Sequence, residues 1–413
     1  MKRITGTARA SASHENQGLH PVAVLPAAPI LSRRALLAGA GGAGLATALG
    51  VSAPAIAQSS SRPAAVAAHP KVNVSVSADG TYPVVPLSKQ IWTLGVAQSR
   101  SIPVDLKRVT ASRRDNLNHM VGLIDAAFAF GGGPDLLFFH EFPITGFGAG
   151  WTRDDVLKVA IEIPGEETEA IAQKARQYGI YIVFGSYAKD PDWPGHVLSI
   201  TTIMGPDGRI LARDWKARNI KGVFGGEIEL FTTTIYDVLD RFVEMYGRDA
   251  ILPVVQTPLG NLATSSVQRE PEIFRALAIK GAEVILRTAT GGFAPVDIAA
   301  TSLYNGVYTA VANNAISPGS PFFEDSNAGG SAIYGPDGEA LAKAKSPNET
   351  LVSARIPIGS FRARHRQPTI HPPLYDDVME RYNPRFPPNL FSDYVPSDLK
   401  DAGRYLRDKG RWK

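Results

Sequence analysis

Glu141, Lys216 and Ser265 bring a carboxylate, an amine and a hydroxyl to positions where they could act together. Proton transfer needs a group that takes and returns a proton, and covalent chemistry needs an atom that can attack. Glu141 follows an apolar run, residues 136–140, and precedes a turn over 143–146. Lys216 closes Arg213-Asp214-Trp215-Lys216, and Ser265 closes a short run, 261–264, that follows the turn at 258–260. All three fall at expected strand ends, the edge of an open α/β sheet where sites assemble. Singly, each has a plainer reading: a capping or ion-pairing Glu, a solvated Lys, a Ser that caps the next helix.

Other chemistries are removed by composition. The chain has no cysteine, which excludes disulfides, thiolate metal sites and a cysteine nucleophile. His140 and Glu141 begin an HExxH-like string, but position 144 is Ile144, so that zinc helix fails. The eight histidines are scattered, and neither a metal nor an organic cofactor is expected. Gly39, Gly41 and Gly44 spell G-x-G-x-x-G, yet no strand precedes them. No G-x-S-x-G elbow offers a different serine site.

The elements that must carry the three residues alternate from about residue 90 to 355. Strands are expected at 91–97, 135–139, 180–187, 197–204, 261–264 and 284–286, and helices at 115–130, 166–178, 235–243 and 271–280. Residues 203–213 and 333–343 echo each other, each a strand, a Gly-Pro-Asp-Gly turn and a second strand. That repeat suggests two related halves of one domain. With 413 residues, 44% apolar and 20% charged, the chain can bury a large core, and a net charge of +4 demands no nucleic acid or anionic membrane.

The first 57 residues read as an address. Ser32-Arg33-Arg34 precedes an uncharged Ala/Gly-rich stretch, and small residues at Ala53, Ala55 and Ala57 offer cleavage points after Ala55 or Ala57. This resembles a twin-arginine export signal, implying a periplasmic or extracellular protein without stable membrane insertion. Residues 58–88 read as a linker, 89–360 as the domain and 361–413 as an arm.

The flanking sequence carries several motifs in order: Pro134-Asp135-Leu136-Leu137-Phe138-Phe139-His140-Glu141-Phe142, Thr145-Gly146-Phe147, and Gly208 eight residues before Lys216. The helix–strand segment 271–285 follows, and later Asn305-Gly306-Val307-Tyr308, Val311-Ala312-Asn313 and Gly330-Ser331-Ala332-Ile333. In these motifs, and most of all in 271–285, the chain resembles the nitrilase, or carbon–nitrogen hydrolase, superfamily, in its aliphatic-amidase-like form. The resemblance implies an α/β fold, a four-layer α-β-β-α sandwich with internal pseudo-symmetry. It implies a cysteine nucleophile, a glutamate base matched by Glu141, an oxyanion-stabilising lysine matched by Lys216, and a second oxyanion donor matched by the Ser266 backbone N–H. A supporting carboxylate is matched by Glu227, with Glu229 as rival.

The departure lies at the nucleophile. The family cysteine stands six residues before the Pro of a Pro-Glu pair, and six before Pro271 is Ser265. Residues 267–270 also lack the acidic residue that often follows the cysteine closely. A serine hydroxyl is a far weaker acid than a thiol and normally needs a matched base. Three readings follow: a hydrolase using serine or an activated water, with a buried neutral Lys216 as one possible base; a pocket that only binds an amide, acid or amine; or a deliberately introduced Cys→Ser change, against which the export signal argues. A perturbed Glu141 or Lys216 would favour the first. A purely structural role would leave no enclosed pocket among the three residues. The expected substrate is a small amide or N-carbamoyl compound; a nitrile fits least, because it demands a thioimidate.

The arm mixes Arg, Pro and aromatic residues with interspersed acids, which speaks against nucleic acid. Arms of the family wrap neighbouring subunits, so a homo-oligomer formed through the arm is expected, with a tail lying over its own domain as the alternative.

Overall fold

The computed structural model describes residues 77–412, apart from 130, 222–227, 318–319 and 321–327. The export signal, most of the linker and Glu227 lie outside the described residues.

Twelve strands form two six-stranded mixed sheets. The first holds β1 (Trp92–Gln98), β2 (Leu136–Phe139), β3 (Tyr181–Ala188), β4 (Leu198–Met204) and β5 (Ile210–Trp215). The second holds β6 (Val255–Thr257), β7 (Gly260–Ser265), β8 (Val284–Thr288), β9 (Tyr308–Ala312), β10 (Ala332–Tyr334) and β11 (Ala340–Lys343). The last strand, β12 (Thr350–Ile356), returns to the first sheet beside β1. The strand orders are β12-β1-β2-β3-β4-β5 and β6-β7-β8-β9-β10-β11. The pairings match step for step: antiparallel, parallel, parallel, antiparallel, antiparallel. The two halves are thus one topology repeated. The echoed hairpins β4–β5 and β10–β11 end their sheets with the same shift of register before the turn. In both, the last glycine of the turn, Gly208 or Gly338, has φ near +80°, the region a glycine enters without steric cost.

Helices cover both outer faces. Around the first sheet lie α1 (Val109–Ala126), α2 (Arg153–Val159), α3 (Glu166–Tyr178) and α4 (Leu239–Tyr246); on the second lie α5 (Pro271–Ile279) and α6 (Pro295–Asn305). Between the sheets, Trp92, Leu94, Leu136 and Phe138 pack against Leu262, Val284, Leu286 and Ile333. The central strands are buried on both faces, which is why they read as continuous apolar runs rather than alternating ones. α3 keeps the bounds its sequence suggests: acidic residues open it, and Gly179, at φ 64°, ends it.

Two helices differ from expectation. α1 spans Val109–Ala126 rather than the expected 115–130, and Asn116 within it is buried, its amide donating to the carbonyls of Ile102 and Ile144. The expected helix at 235–243 is broken: a 3₁₀ turn covers Tyr236–Val238 and α4 starts only at Leu239. There buried Asp237 accepts hydrogen bonds from Thr234 and pairs with Lys221, which holds the turn apart from the helix. Residues 77–88, assigned to the linker, lie against the domain: Tyr82 donates to Glu283, and Arg362 donates to the carbonyl of Val85.

α7 (Ile358–Arg364) runs across the expected start of the arm at 361, and α8 (Asp376–Arg381) and α9 (Leu399–Lys409) follow within it. Its distal part folds onto its own domain, where Phe386, Phe391, Ala402 and Leu406 join the core against the first sheet. Residues 371–383, by contrast, are exposed throughout.

Candidate active site

The first sheet ends in a row of polar side chains. Glu141 follows β2, and Lys216 follows β5. Between them, Ser199 of β4 donates its hydroxyl to Glu141 Oε1 at 3.2 Å, and its carbonyl accepts the Lys216 backbone N–H. Lys216 Nζ lies 3.4 Å from Glu141 Oε1 and 2.9 Å from Glu229 Oε1. Glu229 is held in turn, its Oε1 accepting the Ile220 N–H. Glu229, one of the two supporting carboxylates the sequence offers, thus meets the lysine, while Glu227 lies outside the described residues. Gly185 of β3 makes the row possible, because a Cβ there would stand 2.3 Å from the Glu141 carbonyl oxygen.

Burial sets the electrostatics. The Glu141 and Lys216 side chains are 7% and 3% exposed. Burial pushes the Glu141 carboxyl above the usual range; Lys216 pulls it back and Glu229 pushes it further up. Burial also works against the Lys216 charge, but Glu141 and Glu229 outweigh it, and the ammonium is held more tightly than in water. Lys216 therefore stays a cation. Its one charge is shared by two carboxylates, of which Glu141 is the more distant.

Ser265 is the last residue of β7, on the second sheet. It is buried, and its hydroxyl accepts the Val267 N–H at 3.1 Å. No hydrogen bond among the described residues links it to Glu141 or Lys216. Ser266 beside it is half-buried. Two contacts bring this strand end to the lysine. Thr264 donates a short hydrogen bond to Asp214, two residues before Lys216. Arg218, two residues after Lys216, donates to the Gln268 carbonyl at 2.9 Å and pairs with Glu270. From behind, buried Arg287 holds the same loop by donating to the Val267 carbonyl while pairing with Asp297 at 2.6 Å. The described groove of about 680 Å³ lies elsewhere, between α3 and the β4–β5 hairpin, and is lined by none of these site residues. Among the described residues no group of three or more His, Asp and Glu side chains could hold a metal ion, and no helix is long and apolar enough to cross a membrane.

The pattern of the carbon–nitrogen hydrolases matches residues 93–366, which is well over half of the chain and contains every residue of the row. The chain belongs to the carbon–nitrogen hydrolase family. Among curated relatives it is 26% identical over 223 residues to a bifunctional nitrilase/nitrile hydratase of Lupinus angustifolius, covering 49% of this chain and 58% of that protein. It is 28% identical over 205 residues to an omega-amidase of Xenopus tropicalis, covering 48% and 68% respectively. In structure it is similar to an amidase from Nesterenkonia sp. AN1: a double mutant in complex with acrylamide superposes with a TM-score of 0.50 at 18% identity, covering 72% of this chain and 100% of that one. A single mutant of the same amidase in complex with butyramide gives 0.50 at 19%, covering 71% and 97%.

Five residues around the row, Ser199, Asp214, Arg218, Glu270 and Arg287, carry no motif that singles them out in the sequence. Ser199 was within reach: counting back from the Gly-Pro-Asp-Gly turn sets it near Lys216, although the register shift between Ile203 and Met204 moves the pairing by one residue. Arg218 and Glu270 are 52 residues apart in the chain, and nothing local announces their pairing.

Proposed function

We propose that this protein hydrolyses a small amide or N-carbamoyl compound, with Glu141 as general base, Lys216 and the Ser266 N–H as oxyanion donors, and Ser265 at the nucleophile position. The observation that carries the reading is the buried Lys216 ammonium between Glu141 and Glu229. Burying the Glu141 and Lys216 charges is costly, and an ammonium fixed beside a carboxylate of raised pKa can serve amide hydrolysis as oxyanion donor and base. In the proposed reaction Glu141 takes the Ser265 hydroxyl proton as Oγ adds to the carbonyl carbon. Lys216 then balances the oxyanion, and Glu141 returns the proton to the departing nitrogen as the C–N bond breaks. Water, activated by Glu141, releases the acid from the ester. Curated relatives include both omega-amidases and nitrilase/nitrile hydratases, and the preference for an amide rests on a hydroxyl standing where a nitrile would demand a thiol. We further propose export by the twin-arginine route and a homo-oligomer.

A second reading has its own support. Lys216 stays charged, so it offers Ser265 no base, and Ser265 accepts rather than donates in the one hydrogen bond described for it. The site would then bind an amide, acid or amine without turning it over.

Ammonia release from acetamide, butyramide, N-carbamoylglycine and butyronitrile separates the two. If the natural chain releases ammonia from an amide and Glu141→Ala lowers the rate at least about a hundredfold, the scale of a lost general base, the hydrolase reading stands. Activity only in Ser265→Cys supports the binding reading.

A further inference from the structure

The strand register puts a fourth polar side chain into the row. Tyr187 of β3 pairs directly with Ser199 of β4, and directly opposed residues of an antiparallel pair project from the same face. That face is identified by chemistry: Ser199 donates to Glu141. Lys216 is opposite Ser199, one step beyond the Ile200–Trp215 pair. Tyr187 thus stands between the strands that deliver Glu141 and Lys216.

Its surroundings restrict what it can do. Phe142, the residue after Glu141, stacks on its ring with centroids 4.1 Å apart and planes 21° from parallel. Trp151 packs against the ring at a tilt. The residue is 3% exposed. No described residue accepts a hydrogen bond from the Tyr187 hydroxyl, and that oxygen is not among the fully buried polar atoms left without a partner. The other polar members of the row are engaged with one another. Burial first, and then the charges of Glu141 and Glu229, keep the phenol protonated. It is a neutral donor near two carboxylates, with no acceptor among the described residues.

We propose that the Tyr187 hydroxyl donates a hydrogen bond to the carbonyl oxygen of a bound, uncharged amide, making Tyr187 a specificity-determining residue of this site. The proposal rests on the amide reading above. A carbonyl oxygen has two lone pairs, so one can face Lys216 while the other faces Tyr187. A neutral donor suits a neutral amide. A carboxylate ligand would meet Glu141 and Glu229 as like charges.

The test titrates butyramide into the full chain and into Tyr187→Phe, following the near-ultraviolet tyrosine difference spectrum and the binding heat. Where butyramide is turned over, KM replaces Kd. The expected result is a tyrosine difference band in the natural chain that is absent in Tyr187→Phe. Affinity should weaken about tenfold, KM should change more than kcat, and the melting temperature should hold. Equal affinity and an unchanged band in Tyr187→Phe would overturn the role of Tyr187 and leave the amide reading intact. If acetamide, butyramide and N-carbamoylglycine all fail to bind the natural chain, the amide reading falls and takes this proposal with it. Should Tyr187→Phe unfold, 3-fluorotyrosine at position 187 supplies the same readout, and a fluorine resonance unmoved by bound butyramide would overturn the proposal.

Discussion

Two buried ionisable residues flank the active-site row and pull stability in opposite directions with pH. Asp214 is buried and bonded to Thr264, and burial pushes its carboxyl from 3.8 to about 7. The folded chain therefore holds a proton that the unfolded chain releases, and Asp214's contribution falls as pH rises from about 4 to about 7. His140, beside Glu141, is buried and kept neutral down to about 4, with its Nδ1 accepting the Phe142 N–H. There the unfolded chain takes the proton first, so stability falls as pH drops from about 6.5 to about 4. At ~1.4 kcal/mol per pH unit, the Asp214 effect amounts to at most about 4 kcal/mol. Asp214→Asn keeps a partner for Thr264 and removes the titration. Urea unfolding should show the variant gaining on the parent from about pH 4 to about pH 7, with its own stability rising over that range. A constant gap between the two would refute the assignment.

Elements place what residues do. β2 and β3 must approach closely for Glu141 to enter the row, and Gly185 is where they touch. Gly185→Ala must move one strand; overpacking of this kind typically costs about 1–3 kcal/mol. Thermal melts should show that loss, and Glu141-dependent activity or amide binding should fall with it. The loop after β7 is held by Arg218 from the lysine side and by Arg287 from the helix side. Arg218→Met should raise backbone hydrogen exchange over residues 266–270 while β4 and β5 stay protected. Unchanged exchange there would show that Arg287 suffices alone. The strand identities were legible because buried strands are continuous apolar runs. The break before α4 was not, because the 3.6-residue period of Ile235, Val238, Leu239 and Phe242 persists through a turn that the Asp237–Lys221 pair imposes.

At the scale of the whole molecule, the exposed part of the arm is the unexplained surface. Leu374, Val378, Met379 and Tyr382 are 82%, 68%, 53% and 58% exposed on a segment with no buried residue. α6 also presents Val296, Leu303 and Tyr304 to solvent. Apolar surface of this kind marks association, and sedimentation of the natural chain is expected to show a dimer or larger. Leu374→Glu with Val378→Glu should shift it towards monomer, whereas a monomeric natural chain would sink the oligomer proposal. Export is checked separately: Arg33→Lys with Arg34→Lys should keep the protein in the cytoplasm.

By itself the sequence determined the alternating elements, the repeated hairpin that betrays two matched halves, and the residues Glu141, Lys216 and Ser265 with their strand-end positions. These are legible because apolar periodicity, turn chemistry and residue type are local properties. Only the tertiary structure decided that Glu141 and Glu229 both meet Lys216, that the lysine remains a cation, and that Tyr187 and Ser199 share its face. It also decided that the arm divides into a packed part and an exposed one. Those outcomes depend on strand register across the sheet, on contacts between residues tens of positions apart, and on burial, which fixes charge only once the chain has closed around it.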